Sequence, residues 1–515
     1  MIPKPPFAGD LTVEEEVAAF RELQPRLLAV WEALTMRDEE PHTSIVVPSM
    51  TLDQSELRKL AGASFYEERL LFLLIRLRNP RSRVVYVTSQ PVHPMILDYY
   101  FHLLAGIPAS HARARLTLLC AHDASPRSLT EKILERPRLI ERIREGIQDR
   151  SRAYLTVFNS TPHERRLAVL LGVPLNGVDP DLVPLGTKSG SRKIFRAAGV
   201  PLPEGFEDLH SRAEVEEALV ELAARRPGLR RAVIKLNDSF SGEGNAIFRY
   251  PERYPEAAGR AAVREALNQI SLAVPEETGD AYFEKYNRMG GIVEEFIEGV
   301  DKCSPSAQLR ISPSGEVLPI STHDQILGGP GDQVFLGCTF PARDGYRQRI
   351  LDAAVRIGEV LATHGVVSRF AIDFLLWRDQ PGGDWNMTAL EINLRMGGTT
   401  HPYLGLQFLT GGHLDRASGL FFAPSGSSKY YRATDNLHSD AYRSLLPEDL
   451  IEILTENRLH YNHATGSGAL FHLIGAVSEF GKLGLTAIGN SREEADALYY
   501  KTLEVLDRET AYGRA

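Results

Sequence analysis

Short β-branched runs alternate with stretches of helical spacing through the first third of the chain, and that alternation admits few folds. Ser44–Pro48, Val84–Thr88, Leu116–Cys120 and Ala153–Phe158 read as strands. Helical stretches around 53–78 and Leu97 separate the first of them. Parallel strands need crossover connections, and helices in that role cover both faces of the sheet. The expectation is a doubly wound α/β domain over residues 41–180. Ahead of it, Val13, Val17, Phe20 and Leu23 lie at helical spacing and predict an acidic helical extension over 1–40.

A second unit of different character begins near Thr187. A helix runs to the turn Gly199-Val-Pro-Leu-Pro, followed by strands at Ala232–Leu236 and Ala246–Tyr250. Further strands are read at Gly291–Ile297, Ser306–Ile311 and Val317–Thr322, and an antiparallel pair at Arg369–Trp377 and Met387–Arg395. Runs of strands with separate helices suggest α+β layers. Pro424-Ser-Gly-Ser-Ser-Lys reads as a linker to a last segment, 426–515, with a strand at Ala469–Val477 and a helix at Arg492–Leu506. Roughly three packed units fit 515 residues.

Composition narrows the partners. A net charge of -9 gives no general pull toward nucleic acid or an anionic membrane, so any bound anion must be met by locally placed Lys, Arg or backbone N–H groups. Cys120, Cys303 and Cys338 are too sparse for a zinc site and fit a reducing compartment. The longest apolar run, Leu70–Ile75, is too short to cross a bilayer, and the first residues lack a leader pattern. A cytoplasmic location is expected.

Chemistry is concentrated in Leu390-Glu-Ile-Asn-Leu-Arg395. Alternate residues of a strand share a face, so Glu391, Asn393 and Arg395 point one way. Two oxygen donors beside a cation make a platform for Mg²⁺ and phosphate, or a solvated face with an ion pair. In the preceding strand Asp373 sits among apolar residues, where an unpaired carboxylate is costly. If the strands pair, Asp373 meets Glu391 and Asn393, and three ligands can hold two Mg²⁺ ions; otherwise Asp373 bridges to Arg369. Upstream, Lys235 ends an apolar strand before Ser239-Phe-Ser-Gly-Glu-Gly-Asn245. The loop can cover phosphates through its backbone or be a hairpin tip. Lys188 precedes a helix. The stretch Glu294, Glu295, Phe296, Ile297 ends a strand whose backbone could meet adenine, with Asp301 placed for a ribose hydroxyl.

The order Lys188, Lys235 with its glycine loop, Glu294-Glu-Phe-Ile, Asp373 and Glu391-Ile-Asn-Leu-Arg395 resembles the ATP-grasp superfamily. The interval from Lys188 to Gly199-Val-Pro is also similar to that of D-alanine–D-alanine ligase and biotin carboxylase. Gly468-Ala-Leu-Phe-His472-Leu-Ile-Gly475, Glu479-Phe-Gly-Lys-Leu-Gly-Leu and Ile488-Gly-Asn-Ser-Arg-Glu-Glu-Ala495 resemble the C-terminal domain of the pheganomycin-type peptide ligases, as does Gly397-Gly-Thr-Thr-His401-Pro402. The resemblance implies an ATP-grasp domain over 181–425, with 205–298 as a mobile lid, and a small C-terminal domain. It implies ATP held by Lys188, Lys235 and the loop of Ser241, Gly242 and Gly244, adenine at Glu294–Ile297 and ribose at Asp301. Asp373, Glu391 and Asn393 would bind Mg²⁺, with Mn²⁺ as a substitute, and Arg395 would stabilise the transferred phosphoryl group. D-alanine-ligase-like members carry an arginine two residues before the metal aspartate. Ala371 stands there, so Arg369 or Arg310 is expected to replace it. Thr399, Thr400 and His401 would shape substrate choice, and a homodimer follows family style.

The activity implied is a carboxylate–amine ligase of secondary metabolism, working through an acyl phosphate and releasing ADP and phosphate. Its substrates would be a carboxylic acid and an amine, one of them a peptide or amino acid. His323, Asp324 and His401 are the available general bases, or polar structural residues. Competing readings are an acid–thiol ligase or kinase, and a nucleotide-binding module without turnover. No Walker A, GxSxG or HExxH sequence is present.

Overall fold

The computed structural model describes residues 11–36, 39–52, 57–58, 60–104, 106–239, 244–251, 259–274, 277–328 and 334–512. Strands β1 (Thr43–Val47), β2 (Arg83–Thr88), β3 (Leu116–Cys120), β4 (Ala153–Val157) and β5 (Leu175–Asn176) form a parallel sheet in the order β3-β2-β1-β4-β5. Every residue of β1 and β4 is buried, as expected of central strands covered on both faces. One face packs on the helix Pro94–His102 and on Ala63–Arg78, a helical segment wound as a 3-10 helix. The other face meets the helices Leu129–Leu134, Pro137–Glu145 and Pro162–Leu171. Pro25 splits the expected N-terminal helix into Val13–Leu23 and Arg26–Met36.

A second sheet holds β6 (Gly205–Leu209), β7 (Arg231–Leu236), β8 (Asn245–Arg249), β9 (Ser271–Leu272) and β10 (Gly291–Glu295), ordered β6-β10-β7-β8-β9. Its apolar face is closed by the helices Arg212–Arg225 and Gly279–Met289 around Val215, Leu219, Ile234, Phe248 and Tyr282. The third sheet comprises β11 (Asp301–Cys303), β12 (Pro305–Ile311), β13 (Val317–Gly328), β14 (Val334–Phe340), β15 (Ser368–Arg378), β16 (Asn386–Asn393), β17 (His413–Asp415), β18 (Leu420–Phe422), β19 (Ser428–His438), β20 (Gly468–His472) and β21 (Lys482–Gly489). The helix Asp344–Thr363 lies on β12 and β13.

Two expectations change. Pro424–Lys429 is no linker: Phe422 pairs with Ser428, and Ala423 N–H donates to the Ser427 carbonyl at 2.9 Å, so the segment is the turn of the β18–β19 hairpin. Its glycine, Gly426, takes the left-handed φ of 83° that the turn requires. The expected strand at Ala469–Val477 stops at His472, where Leu473 turns to a φ of 56° and a short helical turn follows. Strand β19 pairs with β14 on one side and β21 on the other, so the third sheet runs unbroken across residue 425.

The helix Lys188–Ala197 carries Gly190 against the segment Pro180–Gly186. A Cβ at Gly190 would press on the Pro184 carbonyl and approach the Leu185 carbonyl carbon and oxygen at 2.8 Å, all backbone atoms unable to swing aside. Gly190→Ala is expected to lose about 1–3 kcal/mol of stability, read as a lower urea midpoint, through overpacking at the helix that aims Lys188. An unchanged midpoint would contradict this contact.

Candidate functional site

A cleft of about 940 Å³ separates the second sheet from the third. A smaller pocket of about 250 Å³ adjoins it, and Lys188, Ser239, Glu391, Asn393 and Arg395 border both. The smaller pocket is closed by Thr51 and Leu52 after β1 and by Asn159–Thr161 after β4, at the carboxyl end of the parallel sheet where ligands gather in open α/β folds.

At the centre the register of β15 on β16 places Asp373 opposite Glu391. Asn393 Nδ2 donates to Asp373 Oδ2 at 2.9 Å, and Gln325 Nε2 on β13 donates to Oδ1 at 2.6 Å. Burial and the neighbouring Glu391 carboxylate push the Asp373 carboxyl up to about 7, against Arg395 and Lys188. Burial also acts to raise Glu391, but Lys188 and Arg395 outweigh it and hold that carboxyl below its usual range. Lys188 Nζ lies 2.5 Å from Glu391 Oε1. Thr187 caps the helix by accepting from Gly190 N–H, which fixes where the Lys188 side chain starts.

Several residues expected to hold a nucleotide lie on or beside the second sheet. Lys235 on β7 is paired with Glu294 on β10, which also receives Arg192 Nη1 at 3.3 Å. Glu294, Glu295, Phe296 and Ile297 all face the cleft. Glu295 N–H donates to the Glu204 carbonyl and Phe296 N–H to the Arg231 carbonyl, while the Ile297 carbonyl accepts from Lys302 Nζ. Arg231 lies 3.8 Å from the Phe296 ring centroid and Lys302 4.6 Å. Gly244 anchors the base of the glycine loop through bonds from Leu236 N–H and Tyr282 Oη to its carbonyl. Ser241 and Gly242 lie outside the described residues.

Several expected residues are elsewhere. Arg310 and Arg369 are register partners on β12 and β15, four residues from Asp373, or about 13 Å of strand. Neither borders the cleft. Arg310 Nη2 bonds Asn176 Oδ1 at 2.9 Å and its guanidinium lies on Trp31, while burial and Arg369 lower it to about 9. Arg369 is likewise lowered by burial, to about 10. No ion pair from Asp373 to Arg369 forms. Asp301 is exposed on β11 and does not border the cleft; its neighbours Lys302 and Cys303 do. Thr399 borders the cleft and accepts from Gln308 Nε2 at 2.7 Å. Thr400 instead donates to Gln308 Oε1, and His401 is buried with its Nε2 2.8 Å from His472 Nε2. His323 is buried against Tyr431 Oη at 2.6 Å, and burial pulls its imidazole down to about 3. Asp324 borders the cleft and accepts from Tyr346 Oη at 2.6 Å.

Gln325, Arg69, Asp435 and Lys482 also border the cleft; Lys482 stands within the motif Glu479-Phe-Gly-Lys-Leu-Gly-Leu, and the sequence singled out none of the four for a role.

Comparison with known proteins fixes the family. The chain is 32% identical over 462 residues to the L-propargylglycine–L-glutamate ligase of Streptantibioticus cattleyicolor, covering 88% of this chain and 92% of that one. The chain belongs to the ATP-grasp ligases. It is an enzyme that joins a carboxylate to an amine with ATP. The IQCH-like ATP-grasp family matches residues 183–252 and 267–417, and the PGM1 C-terminal domain matches 449–502. IQ motif-containing protein H of Danio rerio is 25% identical over 445 residues, but these span only 41% of that protein. Among solved structures, the biotin carboxylase domain of Hydrogenobacter thermophilus 2-oxoglutarate carboxylase aligns with a TM-score of 0.53 at 14% identity, over 90% of this chain and 89% of that one. The ADP complex of an N5-carboxyaminoimidazole ribonucleotide synthetase aligns with a TM-score of 0.51 at 14% identity, over 91% and 97%. These likenesses show the ATP-grasp fold. No described helix of this ligase is long and apolar enough to cross a membrane.

The unfolded chain ionises Asp373 near 3.8, whereas the folded chain holds its proton to about 7. Protonated Asp373 therefore favours the fold at low pH, and that contribution is lost as pH rises through this window. In EDTA, Asp373→Asn is expected to melt at a higher temperature than the wild type at about pH 8, the gap closing toward about pH 4. A constant gap across the window would refute the raised ionisation.

Proposed function

We propose that this ligase activates a carboxylate as an acyl phosphate in the cleft beside Asp373, Glu391 and Asn393, and transfers the acyl group to an amine. The observation that carries the reading is the buried Asp373–Glu391 pair, two like charges side by side with Lys188 and Arg395 as the nearby cations. The donor set fits a divalent cation. Both carboxylates offer hard oxygens, and Asn393, donating through Nδ2, keeps Oδ1 for a ligand. Among the described residues no three His, Cys, Asp or Glu side chains are grouped to hold a metal. A Mg²⁺ ion at Asp373, Glu391 and Asn393 must therefore complete its shell with phosphate and water oxygens, as Mg²⁺ commonly does. When bound, Mg²⁺ would neutralise the β- and γ-phosphates.

The rest falls to the chain. Lys188 and Lys235 exchange their carboxylate partners for phosphate oxygens. The backbone at Glu295–Ile297 faces adenine, with Phe296 and Ile297 as apolar cover. The substrate carboxylate oxygen attacks the γ-phosphorus, and the bond to the bridging oxygen of ADP breaks. The amine nitrogen then attacks the acyl carbon, the bond to phosphate breaks, and the nitrogen loses a proton. Arg395, at the junction of the two pockets, balances charge on the transferred phosphoryl group and the acyl oxygen. The second sheet, within residues 205–298, closes over the nucleotide and keeps water from the acyl phosphate. By likeness to the Streptantibioticus enzyme, both substrates are amino acids or derivatives of them.

ADP release should require acid and amine together, which a coupled ADP assay across paired substrates checks; AMP release would sink the acyl-phosphate chemistry. Glu391→Ala is expected to lower kcat by at least about a thousand-fold with the fold intact by circular dichroism. Lys235→Ala should raise KM for ATP about ten-fold or more with amine KM unchanged, an outcome that fails if only the amine responds.

A further inference from the structure

Beyond the carboxylates of β15 and β16 the cleft continues to a polar group that the chemistry above does not use. Its wall there is built from Tyr66 and Arg69 of the segment Ala63–Arg78, Phe158 after β4, Asp435 of β19 and Lys482 of β21. The register of β19 on β21 breaks between Thr434 and Leu437. Such an irregularity re-aims side chains, and Asp435 and Asn436 both reach the cleft.

Each nitrogen of the Arg69 guanidinium already has a partner. Its Nη1 donates to Asp435 Oδ2 at 3.1 Å, its Nε to the Tyr66 carbonyl at 3.3 Å, and its Nη2 meets Met50 Sδ at 3.2 Å. The guanidinium also lies 4.4 Å from the Tyr66 ring centroid and 4.8 Å from that of Phe158. Lys482 is different. It is only 8% exposed, and its ammonium lies 4.8 Å from the Tyr66 centroid with no carboxylate of its own among the described residues. Arg69 and Lys482 against Asp435 leave one positive charge on the cleft wall. A buried ammonium over a ring is poorly compensated, and burial lowers the Lys482 amine, with Asp435 acting against it.

We propose that Lys482, steadied by the Arg69–Asp435 pair, binds the free carboxylate of an amino-acid substrate, the carboxylate that is not activated. The inference rests on the ligase reading and narrows its substrates to those bearing a spectator carboxylate. The sign of the excess charge calls for an anion. The nucleotide's phosphates are met elsewhere, by Lys188 and Lys235. The reacting carboxylate belongs beside Arg395, so the anion at this end is a second carboxylate. Asp435 is a positioning residue: it fixes Arg69 and helps Lys482 stay protonated.

The test couples pairs drawn from the twenty proteinogenic L-amino acids with ATP and follows amide products by mass spectrometry, each partner being supplied also as its α-carboxamide. Lys482→Met keeps an apolar stem over Tyr66 and removes the charge; Lys482→Arg keeps the charge. Lys482→Met is expected to lose about ten- to a hundred-fold in kcat/KM through the KM of one amino-acid partner, with KM for ATP unchanged and Lys482→Arg recovering most of it. The carboxamide of that partner should cost the wild type a similar factor and cost Lys482→Met nothing more. A carboxamide in place of the carboxylate that is activated stops turnover in both enzymes, so the site belongs to the partner, the amine or the acid, whose amidation costs the wild type and costs Lys482→Met nothing more. Equal use of acid and carboxamide by the wild type, or an equal loss on both in Lys482→Met, overturns the site. Amide formation with ADP release and indifference to amidation would sink this inference alone, whereas AMP release would sink the ligase chemistry beneath it.

Discussion

Two carboxylates brought side by side inside a protein repel each other and lose hydration, and the fold must hold them there for some return. Asp373 and Glu391 are in this position because β15 and β16 pair in one register. Everything around them answers that cost. Lys188 is aimed from a helix start, Gln325 and Asn393 each give a hydrogen bond to Asp373, and Arg395 follows on the same strand face. Lys188 and Arg395 hold Glu391 below its usual range, while burial and Glu391 push Asp373 up to about 7, so the pair divides its charge unevenly. Lys188 and Lys235 are meanwhile paired with Glu391 and Glu294, charged groups kept in place by carboxylates.

Much of this centre was legible along the chain because strands have a period of two. Glu391, Asn393 and Arg395 alternate with buried Ile392 and Leu394, and an isolated Asp373 among apolar residues needed a polar neighbour. The parallel sheet was legible for a similar reason: β1 and β4 are buried on both faces, so their sequences are short runs rich in β-branched and apolar residues and free of charge. The pattern told which way a side chain faces within its own strand. It did not tell what stands opposite. Arg310 and Arg369 were expected near Asp373, yet β12 and β15 carry them four residues along the strand, where Arg310 meets Asn176 and Trp31. His401 was expected at the substrate, yet the helix Thr400–Thr410 turns it into the core against His472.

The far end of the cleft was illegible for a different reason. Arg69 and Asp435 are 366 positions apart and meet only because the segment Ala63–Arg78, which covers the first sheet, reaches β19 of the third. A strand irregularity near Asp435 has no sequence marker, since any residue can occupy it. The turn at Pro424–Lys429 misled in the opposite sense, because proline, glycine and serine mark a hairpin as readily as a junction between domains.

That hairpin changes what the last ninety or so residues are. Were they a tethered accessory, cutting the chain at position 425 would leave the catalytic half intact. Instead β19 is the neighbour on which β14 completes its ladder. Amputation would bare a row of backbone amides and carbonyls on β14, an open template for another chain to add onto. The tail thus closes the flank of the sheet that carries the catalytic strands, and a shortened chain would have to cover that margin some other way to stay apart from its own copies.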